Sequence, residues 1–235
     1  MTAILAIDTA ANACSAAISV DDRIKASCSQ EMNRGHAEHL VPMVGKIAEE
    51  ADCALKRIDL VAVTIGPGAF TGLRVGLAAA RGFALSAGVP CLGMTTLEVI
   101  AAAIEYTSSS LMVVLNSKRD DVYCQVFDPN GHPLTKPAIV TPTKISEIAR
   151  RYITGSSPLV LAGNAAPDTN EYLVRAGIQT EILPYQYPDA SILANLAASR
   201  WSQGNPIARP APMYLRSADA ALPVLGGRLR PSISG

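Results

Sequence analysis

Cysteine is scarce, and the few cysteines are not arranged for cross-linking or metal binding. The chain of 235 residues has five cysteines, and no two of them form a C-x-x-C pair. This pattern argues against a disulfide framework or a zinc ribbon and is typical of a reducing compartment, so we expect a cytoplasmic protein. Four of the five lie in apolar, strand-like runs, where a free thiol packs as a small hydrophobic group: Cys14, Cys28, Cys91 and Cys124.

Long apolar runs and an excess of one charge are also absent. No stretch approaches the roughly 18 apolar residues of a membrane-spanning helix, so we expect no membrane partner. Lys plus Arg and Asp plus Glu both number 20, and the formal net charge is zero. Because phosphate binding needs clustered cations, such a chain is a poor candidate for binding nucleic acid unaided. Arginines are frequent near the end, where they form either a solvated surface or a contact to an anionic partner: Arg200, Arg209, Arg216, Arg228 and Arg230.

The apolar pattern that is present predicts a mixed α/β chain. Residues 3–9 form an apolar run, and residues 13–20 and 23–29 alternate as half-buried strands do. Only Asp21 and Asp22 separate the last two runs, which predicts a two-residue hairpin. The chain therefore opens with an antiparallel meander of three strands.

Helices and a covered strand follow the meander. An apolar stripe predicts a helix over 36–52, and Pro42 either marks its true start near Val41 or bends its first turn. The run LVAVTI at 60–65 lacks alternation, as expected of a strand covered on both faces. A second helix is predicted over about 70–87.

A capping box and a second series of elements complete the pattern. Thr95 and Glu98 have the spacing of a capping box that begins a third helix. After residue 108 we predict strands at 111–116, 121–127 and 159–163 and helices at 143–152 and 189–203. The predicted units are an N-terminal half over 1–108, a C-terminal half over 109–204 and an extended tail rich in Pro and Gly over 205–235.

A glycine-rich loop joins the strand at 60–65 to the second helix, a layout that many proteins use to hold phosphate. Neither common phosphate motif is present. A Walker A loop requires a lysine that this loop lacks, and Gly66, Gly68 and Gly72 give G-x-G-x-x-x-G instead of G-x-G-x-x-G. The helix carries Gly and Ala on all sides, which lowers helix propensity but lets another helix approach closely. We interpret it as packed on its own sheet by one face and open to a partner on another.

The sequence offers few groups for metal or phosphoryl-transfer chemistry. His36 and His39 can share one helical face, but no carboxylate is marked as a third ligand, and His132 lies in a distant turn. We therefore predict structural or capping roles for His36 and His39 and no metal site. A kinase needs positioned carboxylates for its metal and its base, and only Asp8 is placed for such a role.

Several motifs resemble those of one family. They are RGHAEHLVP at 34–42, IGPGAFTGLRVGLAAARGFA at 65–84, GMTTLE at 93–98 and PMYLR at 212–216. Together with the order of elements and Asp8-Thr9 at the end of the first strand, they resemble the bacterial TsaB (YeaZ) family. The resemblance covers about residues 1–110 and is thinner in the second half. It implies an α/β fold of the actin/sugar kinase/Hsp70 (actin-like ATPase, ribonuclease H-like) type, with two subdomains of mixed sheet flanked by helices.

The resemblance also implies a function. The chain would be a partner or scaffold subunit, not catalytic alone, in threonylcarbamoylation of the adenosine next to the anticodon in tRNAs that read ANN codons. It implies TsaD and the ATPase TsaE as partners, a homodimer in isolation, and tRNA contact through the complex. It implies no cofactor on this chain, with ATP and threonylcarbamoyl-AMP used by the complex and a metal held by TsaD. Two alternatives stay open: a small-molecule kinase of the same fold and a glycopeptidase-like metalloprotease.

Two groups of residues follow as candidate sites, and neither is catalytic. The first is a helical surface for self-pairing or TsaD, formed by Met43, Ile47, Arg74, Leu77, Ala78 and Arg81. The second is a vestigial nucleotide cleft formed by Asp8, Thr9, Gly66, Gly68 and Gly163.

Overall fold

The computed structural model describes residues 2–104, 107, 109–153, 157–201 and 207–216. The first half contains five strands and three α-helices, with a short 3-10 helix at Leu55–Arg57. In chain order they are β1 (Ala3–Asp8), β2 (Ala13–Val20), β3 (Arg23–Glu31), α1 (His36–Glu50), β4 (Leu60–Gly66), α2 (Phe70–Ala87), β5 (Cys91–Thr95) and α3 (Thr96–Ala102).

The second half repeats the pattern with shorter elements. They are β6 (Leu111–Asn116), β7 (Val122–Phe127), β8 (Ala138–Val140), α4 (Pro142–Tyr152), β9 (Leu159–Ala162), α5 (Ala166–Arg175), β10 (Thr180–Ile182) and α6 (Ala190–Arg200). The sequence patterns did not predict β5, β8, α5 or β10. The three strands are only three to five residues long, and α5 is a polar helix.

Each half is built on one five-stranded mixed sheet. The strand orders are β3-β2-β1-β4-β5 and β8-β7-β6-β9-β10, so the two sheets have the same topology. The central strand of each sheet pairs antiparallel with the strand that follows it, β2 or β7, and parallel with a later one, β4 or β9. This duplicated mixed sheet confirms the predicted actin/sugar kinase/Hsp70 fold class.

Local signals in the sequence are confirmed at two positions. Asp21 and Asp22 have φ angles of 49° and 60°, as the central residues of a type I′ hairpin turn do. Thr95 caps α3 and forms a complete capping box with Glu98. Pro42 lies inside α1, which begins at His36, so the helix does not start at Val41.

The helices do not follow the linear division at residue 108. α1 and α2 cover one face of the first sheet, and the other face is covered by α6, whose Leu193 and Ala194 pack among Ile4 and Ala62. α3 packs between the two sheets, with Leu97 and Ile100 in the core of the second sheet and Val99 in the core of the first. The first half is thus covered partly by a helix from beyond residue 108, and the predicted boundaries stay a prediction.

Residues 207–216 pack as an extended segment on the first half. The backbone N–H of Met213 donates to the Ile65 carbonyl at 2.7 Å, and Arg81 donates to the Pro210 carbonyl. A Cβ at Gly93 would lie 2.8 Å from the Pro210 Cβ, so this segment requires glycine there. This part of the predicted tail is thus a fixed element of the fold.

No helix within the described ranges is both long and apolar enough to cross a bilayer.

Candidate functional site

The glycine loop and the start of α2 lie directly against the turn that follows β1. A Cβ at Gly68 would lie 2.2 Å from the Ala10 carbonyl oxygen, and one at Gly72 would lie 2.1 Å from the Thr9 carbonyl oxygen. The Thr9 hydroxyl donates to the Gly72 carbonyl at 2.7 Å. These glycines therefore serve internal packing, because any side chain would push α2 away from β1.

Asp8 is the last residue of β1 and has no exposed surface. Its Oδ1 accepts hydrogen bonds from the Thr64 hydroxyl at 2.5 Å and the Ala10 N–H at 3.2 Å. Its Oδ2 is buried and has no hydrogen-bond partner among the described residues. Burial raises the pKa of Asp8 to about 7, although the Thr64 and Ala10 hydrogen bonds act in the opposite direction.

The residues predicted to form a nucleotide cleft do not line an open one. Asp8 and Thr9 are buried, and so are Gly66 and Gly163. A Cβ at Gly163 would lie 2.0 Å from the Val114 carbonyl oxygen, so this glycine also serves close packing. Of the five predicted residues, only Gly68 borders an open cavity, which is described next. The resemblance implies that phosphate would lie against Asp8 and Thr9, but both residues are buried here and α2 packs against Thr9, so they present no open surface to a nucleotide.

A large open cavity lies instead between the two halves. It has a volume of about 1190 Å³, and we call it the inter-half cleft. Its walls come from the start of α1, the start of α2, the loop after β6 and the end of the 207–216 segment. Five of its lining residues are Arg or Lys, against one carboxylate, Glu38: Arg34, Arg74, Lys118, Arg119 and Arg216.

Two aromatic rings and an arginine stack at the mouth of this cleft. The guanidinium of Arg74 lies 3.1 Å from the ring centroid of Phe70 and 5.6 Å from that of Tyr214. The two rings are 5.9 Å apart. Phe70 is 59% exposed and Tyr214 is 48% exposed, which is unusual for large aromatic side chains. The sequence patterns did not identify Phe70, Tyr214 or Lys118 as site residues; the i, i+4 spacing of Phe70 and Arg74 was the available signal.

The six predicted interface residues lie in different environments. Met43, Ile47 and Leu77 are buried in the core between α1, α2 and the first sheet, so the structure contradicts their placement on a surface. Their apolar spacing is that of the inward face of each helix. Arg81 is half-buried, and its guanidinium donates a hydrogen bond to the Pro210 carbonyl in the 207–216 segment.

Two of the six residues are exposed. Arg74 belongs to the cleft mouth, and Ala78 lies on the outward side of α2. We define the α1–α2 face as the outward residues of these two helices: Val41, Pro42, Gly45, Ala78, Gly82 and Leu85. Leu85 is 84% exposed and Val41 is 56% exposed. A Cβ at Gly45 or Gly82 would meet nothing within 4 Å among the described residues, so no internal contact accounts for these glycines.

The histidines have contacts of their own. A ring nitrogen of His36 lies 3.2 Å from the Ala11 carbonyl oxygen, and His132 contacts the Asp128 carboxylate at 3.1 Å. His39 is exposed on α1. Within the described ranges, no group of three or more His, Cys, Asp or Glu side chains is arranged to hold a metal ion.

Comparison with known proteins gives consistent relatives. Residues 28–223 match the family model of TsaD, tRNA N6-adenosine threonylcarbamoyltransferase. The chain is similar to the tRNA threonylcarbamoyladenosine biosynthesis protein TsaB of Escherichia coli K12, with 29% identity over 91% of this chain and 94% of that protein. It is also similar to the TsaB protein of Buchnera aphidicola subsp. Schizaphis graminum, with 34% identity over 51% of this chain and 58% of that protein.

A solved structure agrees with these sequence relatives. A Pseudomonas aeruginosa protein, described as uncharacterized with similarity to peptidase YEAZ, matches with a TM-score of 0.79 and 28% identity. The match covers 92% of this chain and 100% of that one. The fold, the motifs and these relatives agree, and the chain belongs to the tRNA N6-adenosine threonylcarbamoyltransferase family, in its TsaB (YeaZ) branch.

Proposed function

We propose that this chain acts in the cytoplasm as the non-catalytic partner of a larger paralogue, TsaD, in threonylcarbamoylation of the adenosine beside the tRNA anticodon. TsaE joins the complex, and a homodimer forms when the chain is alone. The observation that carries the proposal is the α1–α2 face, which presents exposed apolar and small residues on two adjacent helices.

The chemistry of this face suits another protein. Leu85 and Val41 expose large apolar side chains, and such exposure on a soluble domain marks an interaction surface when neighbours are also apolar. Gly45 and Gly82 leave the backbone of both helices open to close approach. A helical pair from a paralogue with the same fold, or from a second copy, would bury this face by helix-on-helix packing.

The closed turn after β1 supports an accessory role. Phosphoryl transfer needs carboxylates that face the substrate to position metal and base. Asp8 occupies the position expected for such a group, but it has no exposed surface. We therefore assign ATP, threonylcarbamoyl-AMP and the catalytic metal to the partner proteins.

A substitution on the α1–α2 face tests the proposal. We expect Ala78→Glu and Leu85→Glu to abolish both the homodimer and the complex with TsaD, because each buries an unpaired charge at a helix-on-helix contact. Size-exclusion chromatography with light scattering gives the assembly state, and circular dichroism checks the monomer fold.

A matched control is available in the second half. Val174 on α5 is 55% exposed, and Val174→Glu introduces the same charge on a helix far from the α1–α2 face. This variant should retain both assemblies. Normal assembly of Ala78→Glu and Leu85→Glu would overturn the assignment of the face, and failure of the unmodified chain to bind TsaD would overturn the proposed function.

A further inference from the structure

The inter-half cleft concentrates positive charge in a chain whose net charge is zero. Its walls carry five Arg or Lys residues and one carboxylate. Part of this charge is neutralised, because Arg216 donates to both oxygens of Asp121 at 2.6 and 2.7 Å. We define the cleft cations as Arg34, Arg74 and Lys118, which come from three separate elements and are all exposed.

The same cleft exposes aromatic faces. Phe70 and Tyr214, which we call the aromatic pair, border the cavity together with Arg74. Exposed aromatic rings beside cations are the combination that holds unpaired nucleic acid, since bases stack on the rings while phosphates pair with Lys and Arg. Arg74 already lies over Phe70, but both rings keep exposed surface, which an acidic peptide that uses only the cations would leave uncovered.

The loop after β6 is shaped to present its cation to the cavity. Lys118 has a φ of 64°, and its backbone N–H donates to the Asn116 side chain at 2.5 Å. Ser117 donates to the Asp121 side chain and to its carbonyl oxygen at 2.7 Å, which closes the loop on itself. The lysine is therefore held at the tip of an ordered turn.

We propose that the inter-half cleft binds an unpaired segment of RNA directly, with a base against the aromatic pair and phosphates on the cleft cations. The proposal rests on the proposed function for the identity of the RNA, an anticodon loop, because the modified adenosine lies in that unpaired region. It adds that this chain contacts the substrate itself, on a surface separate from the α1–α2 face.

Binding of a fluorescein-labelled anticodon stem-loop RNA to the full chain, measured by anisotropy across salt concentrations, tests the proposal. We expect the pair Arg34→Gln and Lys118→Gln to weaken binding at least about tenfold at roughly 100 mM salt. The slope of log affinity against log salt should become shallower by about 1.4, since each single-strand phosphate contact contributes about 0.7. The pair Lys25→Gln and Lys144→Gln removes equal charge from exposed positions on β3 and α4 and should change neither value.

Two variants of Tyr214 test whether an RNA base stacks on its ring. Tyr214→Leu should weaken RNA binding about tenfold, whereas Tyr214→Phe keeps the ring and should bind as the unmodified chain does. A purely structural role for Tyr214 would instead lower the thermal unfolding midpoint of Tyr214→Leu without a selective loss of RNA affinity. Equal RNA affinity of Tyr214→Leu and Tyr214→Phe would contradict the stacking of a base on Tyr214.

Competition experiments show which class of ligand the inter-half cleft binds most tightly. AMP or oligoglutamate that displaced the RNA at equal concentration would assign the cleft to a free nucleotide or an acidic peptide and would overturn the proposal. The same cleft variants are mixed with TsaD and sized. Normal complexes with lost RNA affinity support the inference, and normal complexes with unchanged RNA affinity refute it while the proposed function stands. Absence of a complex with the unmodified chain refutes the proposed function instead.

Discussion

The loops that follow the two central strands occupy equivalent places in equivalent sheets but differ in exposure. β1 ends at the fully buried Asp8, and the backbone of α2 lies against Thr9 in the turn that follows. β6 ends at Asn116 and the loop after it carries Lys118, and both residues are exposed at the inter-half cleft. One strand end has thus become part of the core, whereas the other still faces a cavity. The comparison shows that the topology shared by the two sheets does not fix which strand end is open to a ligand.

The largest expected loss of stability comes from separating α2 from the turn after β1. Gly72→Ala places a Cβ about 2.1 Å from the Thr9 carbonyl oxygen, a backbone atom that cannot move alone. We expect the free energy of unfolding to fall by about 5 kcal/mol, in the range of the most disruptive core substitutions. Chemical denaturation followed by circular dichroism measures this change.

Gly82→Ala is the matched control on the same helix. Its Cβ would meet nothing within 4 Å among the described residues, so in the monomer the helix propensity of alanine should raise the free energy of unfolding by about 1 kcal/mol. Equal effects of Gly72→Ala and Gly82→Ala would contradict the close contact between α2 and the turn after β1.

The second effect concerns the charge of Asp8. Because its pKa is raised to about 7 in the folded chain, the folded state holds a proton that the unfolded state releases near pH 4. The contribution of Asp8 to stability should therefore be fully present below about pH 4 and be lost as pH rises through 7. Between about pH 5 and pH 8 this amounts to a loss of about 3 kcal/mol.

Asp8→Asn isolates this contribution. The amide cannot ionise, so the pH dependence of the unfolding free energy should be flatter by about 3 kcal/mol over that range. Denaturation curves of both proteins at matched pH values give the difference. Parallel pH profiles would show that the buried carboxylate is not the source of the slope.

The smallest loss of stability is expected at the end of β6, where the loop is exposed. Asn116→Ala removes the acceptor of the Lys118 N–H in an exposed turn, so it should cost no more than about 1 kcal/mol of folding free energy. The same denaturation assay measures it. A loss as large as that of Gly72→Ala would mean that the two loops do not differ in the way described.

Local structure could be read from the sequence because its causes are local. The Asp21-Asp22 hairpin and the Thr95 capping box depend on residues within a few positions, and helix α2 was predicted over its observed range of Phe70–Ala87. The order of elements predicted a mixed α/β chain, and the resemblance to one family implied the actin/sugar kinase/Hsp70 type. The short strands β8 and β10 gave no signal, since three residues are too few for a period to be visible.

The candidate site was harder to predict because it depends on long-range packing. The period of a helix groups residues on one side but does not say which side faces the sheet, and so Met43, Ile47 and Leu77 were placed on the surface although they lie in the core. The contact of Arg81 with Pro210 spans 129 positions, and no spacing rule reveals it. The glycines divide in the same way, with Gly72 facing inward and Gly82 facing outward.

Quantification of threonylcarbamoyladenosine by mass spectrometry tests the central claim most directly. Unmodified tRNA would be incubated with threonylcarbamoyl-AMP, ATP, TsaD and TsaE, with this chain present, absent or alone. The account predicts that the modified nucleoside forms only when this chain and TsaD are both present. Equal product without this chain, or product from this chain alone, would contradict its role as a required non-catalytic partner.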